Sequence, residues 1–97
     1  MALTGKQKRY LRGLGHHLKA VIMIGKEEVS PRVVAATDEA LEHHELIKIK
    51  VQEGCISDRR EVASELAQQT SSAIAQIMGR TILLYRVAKE PQITLPG

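Results

Sequence analysis

The stretch LIKIKV (46–51) alternates apolar and basic side chains, and this period of two is typical of a β-strand. Both isoleucines and Val51 fall on one face, while Lys48 and Lys50 fall on the other. A strand of this kind packs its apolar face on a core and leaves the other face to solvent. The stretch therefore predicts a strand with one wet face.

A helix is predicted on each side of this strand. Ser30 before Pro31 is a strong helix start, because a capping residue precedes a proline at the first helical position, and the helix extends to about His44. Ser57 with Asp58 opens the helix that follows the strand. The inner faces are predicted to carry Val33, Val34, Ala40 and Leu41 in the earlier helix and Val62, Ala63 and Leu66 in the later one, with Arg59, Arg60, Glu61 and Glu65 outward.

The N-terminal part of the chain predicts a further helix and a strand. Thr4 and Gln7 fit a capping box, and Gly13 or Gly15 ends the helix that they open. Val21–Ile24 is a β-branched-rich run that Gly25 ends, which predicts a buried strand. At helical spacing the apolar face of the helix contains Leu3, Tyr10, Leu11 and Leu14, and the opposite face carries Lys6, Lys8, Arg9 and Arg12.

The C-terminal part predicts a β-hairpin. Residues 73–78 and 81–85 form two strands joined by Gly79-Arg80, a two-residue turn with glycine first. Residues 87–97 contain Pro91 and Pro96 and are predicted to be extended. The order is α-β-α-β-α-β-β, so we expect one α/β domain over 1–97 with a mixed four-stranded sheet, parallel crossovers and an extended tail at 88–97.

Charge is unevenly distributed along the chain. Residues 1–32 contain seven Lys and Arg against two acids, whereas residues 33–97 contain seven against nine, for a net charge of +3. A positive end of this kind indicates a polyanionic partner. The longest apolar run, Ala20–Ile24, is far too short to cross a bilayer, and a lone cysteine cannot form an internal disulfide. We therefore expect a cytoplasmic protein that does not enter the membrane.

Three segments together resemble the CRM domain family (chloroplast RNA splicing and ribosome maturation), and more narrowly its single-domain YhbY-type bacterial members. They are LTGKQKRYLRGLGHHLKAVIMIG (3–25), ALEHHELIKIKV (40–51) and QIMGRTILLYR (76–86). The resemblance implies a fold like that of the C-terminal domain of translation initiation factor three. It also implies binding to ribosomal RNA or to precursors of the large ribosomal subunit.

The resemblance further implies RNA contact through a GxxG-type loop after the first strand. Here the loop is Gly25-Lys26-Glu27-Glu28, with glutamate at the position of the second glycine. Paired glycines let backbone amides approach a phosphate closely, and Glu28 adds a Cβ and a negative charge at that point. Alternatively, both glutamates complement the positive N-terminal end of the next helix.

The candidate RNA-binding residues are basic or lie in the loop. Unopposed cations favour phosphate contact because they release counterions, although Lys48 and Lys50 could instead protect a sheet edge from aggregation. Arg86 is a candidate to join these two from a neighbouring strand. The full set is Lys6, Lys8, Arg9, Arg12, Lys19, Gly25, Lys26, Arg32, Lys48 and Lys50.

Other chemistry is disfavoured by the sequence. The pairs His16-His17 and His43-His44 are adjacent, so their rings diverge, and no convergent ligands predict a metal site. Cys55 has no neighbours that mark a nucleophile. Tyr10 and Tyr85 are too few for a surface of stacked bases. We expect a monomeric RNA-binding protein without catalytic activity, cofactor or small-molecule substrate; the alternative is an adaptor that binds an acidic protein through the same cations.

Overall fold

A computed structural model describes residues 2–97 of the chain. Its elements are α1 (Gly5–Gly15), β1 (Ala20–Ile24), α2 (Pro31–His44), β2 (Leu46–Val51), α3 (Arg59–Thr70), β3 (Ala73–Met78) and β4 (Thr81–Tyr85). The predicted order and the mixed four-stranded sheet are confirmed. Between residues 2 and 97, every helix is too short or too polar to span a membrane.

The sheet has the strand order β1-β2-β4-β3. β1 is parallel to β2, while β4 is antiparallel to both of its neighbours and is the one strand of reversed direction. The hairpin turn has Gly79 at φ +58°, a left-handed conformation that glycine adopts without strain. Because β1, β2 and β3 run in the same direction, all three end at the same edge of the sheet.

All three predicted helix starts are confirmed, and two of the three carry a side-chain cap bond. The Thr4 hydroxyl accepts from the Gln7 amide, and the Gln7 side chain accepts from the Thr4 amide, which completes the capping box. The Ser30 hydroxyl likewise accepts from the third residue of α2. Asp58 occupies the cap position of α3 without a side-chain cap bond, and Ser57 bonds elsewhere.

The main core lies between the sheet and the pair α2 and α3. Leu41, Val62, Ala63 and Leu66 are buried as predicted, and the other predicted inner residues of α2 are half-buried against them. They meet the inner face of the sheet, which is formed by Ile22, Ile24, Ile47, Ile49, Val51, Ile82 and Leu84.

α1 covers part of the other sheet face. Leu11 is buried there among Leu46, Ala75, Leu83 and Tyr85. A Cβ on Gly15 would lie 2.8 Å from Leu83 Cδ2, so a larger residue there would force the buried Leu83 side chain to shift, and glycine allows this close packing of α1. The prediction of one wet face on β2 is therefore wrong at its beginning: Leu46 is buried, Lys48 is half-buried, and Lys50 alone stays exposed.

Two predictions of buried apolar surface are wrong. β1 is an edge strand with one exposed face, so Val21 and Met23 lie in solvent. On α1, Tyr10 and Leu14 are exposed, because the docked stripe runs through Gln7, Leu11 and Gly15 at intervals of four. Tyr10 and Leu14 lie roughly 100° and 60° from Leu11 around the helix axis. A helix that contacts the sheet through one narrow stripe leaves residues at these angles outside the contact.

The C-terminal tail is held in place although it forms no helix or strand. Ala88 is buried, and Ile93 and Leu95 pack on the smaller cluster beneath α1. The side-chain amide of Gln7 donates to the Pro96 carbonyl at 3.1 Å, which joins the tail to α1 directly.

Glu45, between α2 and β2, organises this tail. Its side chain is fully buried and its φ is +63°, which lets the chain turn sharply from helix to strand. Its carboxylate accepts from the amides of Ala88, Gln92 and Ile93 at 2.8, 2.6 and 2.7 Å. Its own carbonyl accepts from the Arg86 amide at 2.9 Å. One residue thereby fixes both ends of the connection from β4 to the tail.

The environment of Glu45 changes two pKa values. Burial acts to raise the pKa of Glu45, but three amide donors favour the charged form and hold that pKa below its ordinary value. Burial, together with the negative charge of Glu45, raises the pKa of the neighbouring Tyr85. The carboxylate is therefore ionised in the folded protein near neutral pH.

We expect Glu45→Gln to lower the free energy of unfolding at neutral pH by about 1–3 kcal/mol, because buried amide donors lose a charged acceptor. The folded pKa lies below the ordinary value of 4.5, so this stabilisation is complete above about pH 4.5 and is lost as the pH falls through the folded pKa. Denaturant unfolding of the unmodified protein and of Glu45→Gln should show a difference in the free energy of unfolding that becomes smaller on acidification. Glu39→Gln, at an exposed position, is the matched control. If the difference between the unmodified protein and Glu45→Gln stayed constant in acid, the negative charge of Glu45 would not be the source of the stabilisation.

Candidate nucleic-acid interface

The docked stripe of α1 decides where its cations lie. At about 100° per residue, Lys8 and Arg12 fall on the flank of α1 that faces β3, within roughly 60–100° of Leu11. Lys6 and Arg9 fall roughly 140–160° from Leu11, on the side directed away from the sheet. All four side chains are exposed. The four predicted cations of α1 therefore form two pairs with different surroundings.

Arg12 lies beside the uncovered part of the outer sheet face. Together with His16 it borders a cleft of about 200 Å³ whose other walls include Lys48, Gln76 and Thr81. Lys50 lies two residues beyond Lys48 on the same face of β2 and is flanked in register by Met23 and Thr81. The packing of α1 thus brings predicted cations from two distant segments to one surface.

Lys8 lies beside two arginines that sequence reasoning assigned only to a solvated helix face. It borders a cleft of about 290 Å³ with Arg59 and Arg60 from the first turn of α3, and with Gln76 of β3. The sequence contained a signal for this position of Arg59 and Arg60, because only two residues separate α3 from β3. Twelve helical residues span about 18 Å and six strand residues about 20 Å, so the start of α3 returns to the far end of β3.

These side chains form one basic surface, which we define as Lys8, Arg12, Lys48, Lys50, Arg59 and Arg60. Gln76 borders both clefts, and neither cleft is lined by an acidic residue. None of the six cations pairs with a carboxylate within residues 2–97. Their charge is consequently available to an external anion.

The loop after β1 has a conformation suited to glycine. Glu28, at the position of the expected second glycine, has φ +53°, and its amide donates to the Gly25 carbonyl at 3.0 Å. The Glu28 carboxylate accepts from the hydroxyl of Ser57, which stabilises this conformation from a second loop. The backbone shape of the loop is thus kept by a side-chain contact where a glycine would need none.

The cations of this loop differ in their freedom. Arg32 pairs with Glu27 at 3.2 Å, and both side chains are exposed. Lys26 is exposed beside Gly25 and forms no ion pair within the described part of the chain. Lys19 lies elsewhere, on the opposite flank of α1 from the basic surface. The predicted site residues are therefore distributed over four places, because Lys6 and Arg9 lie on the side of α1 directed away from the sheet; the basic surface holds the most.

Arg86 does not join Lys48 and Lys50, so that prediction is wrong. Tyr85 directs its side chain to the outer face of the sheet, and the next residue is directed to the helical side. There the Arg86 guanidinium contacts Asp38 at 2.5 Å and Glu42 at 3.4 Å, and donates to the Thr70 carbonyl at 2.9 Å. Its charge is used to join α2 to the end of α3.

The remaining candidates for chemistry lie apart from one another. His16 follows α1 and His44 ends α2, both exposed. Across residues 2–97, no three His, Cys, Asp or Glu side chains are grouped to hold a metal ion. Cys55 is half-buried, with Sγ 3.8 Å from the Ser57 carbonyl oxygen. Tyr85 is buried, which leaves Tyr10 as the accessible aromatic ring of the two.

The fold and this surface define a class of small mixed α/β domains that present unpaired cations on a partly open sheet. The sequence model of the CRS1/YhbY (CRM) domain matches residues 3–86. The chain belongs to this family, and the resemblance seen in the sequence is confirmed.

Similar proteins cover almost the whole chain. The "Probable RNA-binding protein YqeI" of Bacillus subtilis is 44% identical over 95 residues, which are 97% of this chain and 99% of that protein. An "RNA-binding protein" of Haemophilus influenzae is 38% identical over 94 residues, 97% of this chain and 95% of that one. The solution structure of the hypothetical protein SAV1595 from Staphylococcus aureus has 41% identity and a TM-score of 0.84, with 98% and 100% coverage.

The conformation of Glu28 predicts an order of stability between two variants. Glu28→Gly and Glu28→Ala both remove the bond to Ser57, but only alanine keeps a Cβ at positive φ. We expect the glycine variant to be more stable by about 1 kcal/mol. Denaturant unfolding of the two proteins measures this difference, and equal stabilities would show that the loop relaxes out of the left-handed conformation.

Proposed function

We propose that this protein binds structured RNA through the basic surface. The observation that carries the proposal is the convergence of six cations from α1, β2 and α3, none of which pairs with a carboxylate in the described part of the chain, residues 2–97. Relatives that match almost the whole chain are named RNA-binding proteins, which supports RNA as the polyanion.

Binding is proposed to depend on phosphates and shape. From β2 to β3 the surface crosses two strand spacings, about 10 Å, so it can meet several phosphates at once. Arginine and lysine that meet phosphates release condensed counterions, which favours binding at low salt. The row of residues that crosses the open part of the outer sheet face consists of Met23, Lys50, Thr81 and Met78, and none of these side chains is aromatic. Base stacking on this part of the sheet therefore contributes little to binding. No chemical step belongs to this function.

The RNA is proposed to be ribosomal, in precursors of the large subunit. This part of the proposal rests on the family resemblance alone, whereas the basic surface supports binding to structured RNA in general. Lys26 in the loop after β1 is proposed as an additional phosphate contact at the edge of the surface, with Arg32 held in orientation by Glu27.

Lys8→Ala combined with Arg12→Ala should weaken binding to a structured RNA and flatten its dependence on salt. Two lost phosphate contacts reduce the slope of log K against log salt by roughly 1.4–1.8. Filter binding or fluorescence anisotropy over a range of salt concentrations measures the slope.

The matched control for this pair is Arg80→Ala with Lys89→Ala. It removes the same formal charge from positions outside the basic surface, one of which is already paired with Glu53. The control should keep the slope of the unmodified protein. Equal losses in both double variants would mean that net charge matters and that the basic surface does not.

The ribosomal part of the proposal is tested in cells. The protein should sediment with large-subunit precursors at low salt and leave them at high salt, because phosphate contacts are screened. The Lys8, Arg12 double variant should leave the precursors at a lower salt concentration. Sedimentation with small-subunit particles, or with no particle at any salt concentration, would contradict the ribosomal assignment while leaving RNA binding to be judged by the salt slope.

A further inference from the structure

An apolar cleft lies on the other flank of α1. It has a volume of about 400 Å³ and is enclosed by the end of α1, the edge strand β1 and the C-terminal tail. Leu14, Leu18 and Val21 contribute walls that are 39%, 37% and 51% exposed, and Ile93 of the tail closes another side. Large aliphatic side chains left exposed around one cavity indicate a binding surface.

The polar groups around this cleft are cationic or neutral. Lys19, Lys48, His44 and Gln92 line it, and none of its lining residues is acidic. Lys48 also borders the cleft beside Arg12, so the two clefts meet at one side chain of the basic surface. An anionic polymer held on that surface can therefore extend into the apolar cleft without crossing a negative group.

We propose that this cleft receives one unpaired nucleobase of the bound RNA. This inference rests on the proposed function and adds a site to it. The volume falls within the range of pockets that enclose small ligands, roughly 300–1,000 Å³. Apolar walls accept the faces of a base taken out of its stack. Lys19 and Lys48 can meet the flanking phosphates, while Gln92 and His44 can bond to polar edges of the base.

A nucleobase fits the cleft better than a segment of a protein partner. An extended peptide on the edge of β1 would place side chains along the whole strand, but the cleft reaches only its first half, at Val21. No acidic residue is among those that line the cleft, which suits an anionic RNA. The basic surface would then hold paired RNA, and the apolar cleft would hold a nucleotide from an adjoining loop or bulge.

The test compares hairpins with a duplex. The probes are hairpins that share one stem and carry loops of A, C, G or U, together with a blunt duplex of the same total number of phosphates. At least one hairpin should bind roughly fivefold or more tightly than the duplex, since one base in an apolar site adds an affinity of this size. Val21→Phe should abolish this preference by filling the cleft, with duplex affinity and salt slope unchanged.

Met23→Phe is the matched control. It adds the same ring to the same exposed face of β1, two residues further along, where Met23 borders a different cleft. Phenylalanine is well accepted in strands, so both variants should fold. The control should keep the preference for the hairpin. A 2-aminopurine placed in the preferred loop should gain fluorescence on binding to the unmodified protein, as it leaves its stacked neighbours, and should not do so with Val21→Phe.

Each result has a distinct meaning. Salt-dependent binding with equal affinity for all hairpins and the duplex would overturn the nucleobase site and leave the proposed function standing. Absence of salt-dependent binding to any probe would overturn both. A peptide of alternating acidic and apolar residues that binds the unmodified protein but not Val21→Phe, with no hairpin preference, would identify the cleft as a protein site and likewise overturn the inference.

Discussion

The buried carboxylate of Glu45 is the constraint on which the outer half of the structure depends. Three tail amides donate to it, and the tail that they fix packs Ile93 and Leu95 beneath α1. Gln7 of α1 bonds to the same tail through the Pro96 carbonyl. A carboxylate is suited to this position because a charged acceptor can satisfy several amides in a region closed to water. The cations of α1 are held in their places through this chain of contacts.

The basic surface follows from packing more than from local composition. Leu11 and Gly15 set the rotation of α1, and the short link from α3 to β3 brings Arg59 and Arg60 to β3, where they share a cleft with Lys8. The opposite layer is acidic at Asp38, Glu39 and Glu42, where Arg86 is already paired. The mild net charge of +3 thus combines the basic surface with an acidic patch on the exposed side of α2. Such a separation orients an approaching polyanion before any contact is formed.

Much of the fold could be predicted from local signals in the sequence. Caps, strand alternation and the glycine turn act over a few residues, so the element order and the four-stranded sheet follow from them. Local signals do not predict which strands and helices become neighbours in the folded protein. The edge position of β1 exposed Val21, the narrow stripe of α1 exposed Tyr10, and Arg86 turned to the helical side. Glu45 gave no signal, because its partners lie more than forty residues away in a segment without regular structure.

The central claim is that RNA lies on the basic surface rather than on the exposed acidic side of α2. Amide chemical shifts of the isotope-labelled protein, followed by NMR during titration with a structured RNA, test it most directly. The largest changes are expected in residues 8–16, 48–50, 59–60 and 74–81, with the exposed side of α2 around Asp38 and Glu42 unaffected. Changes concentrated on α2, with the basic surface silent, would contradict the claim.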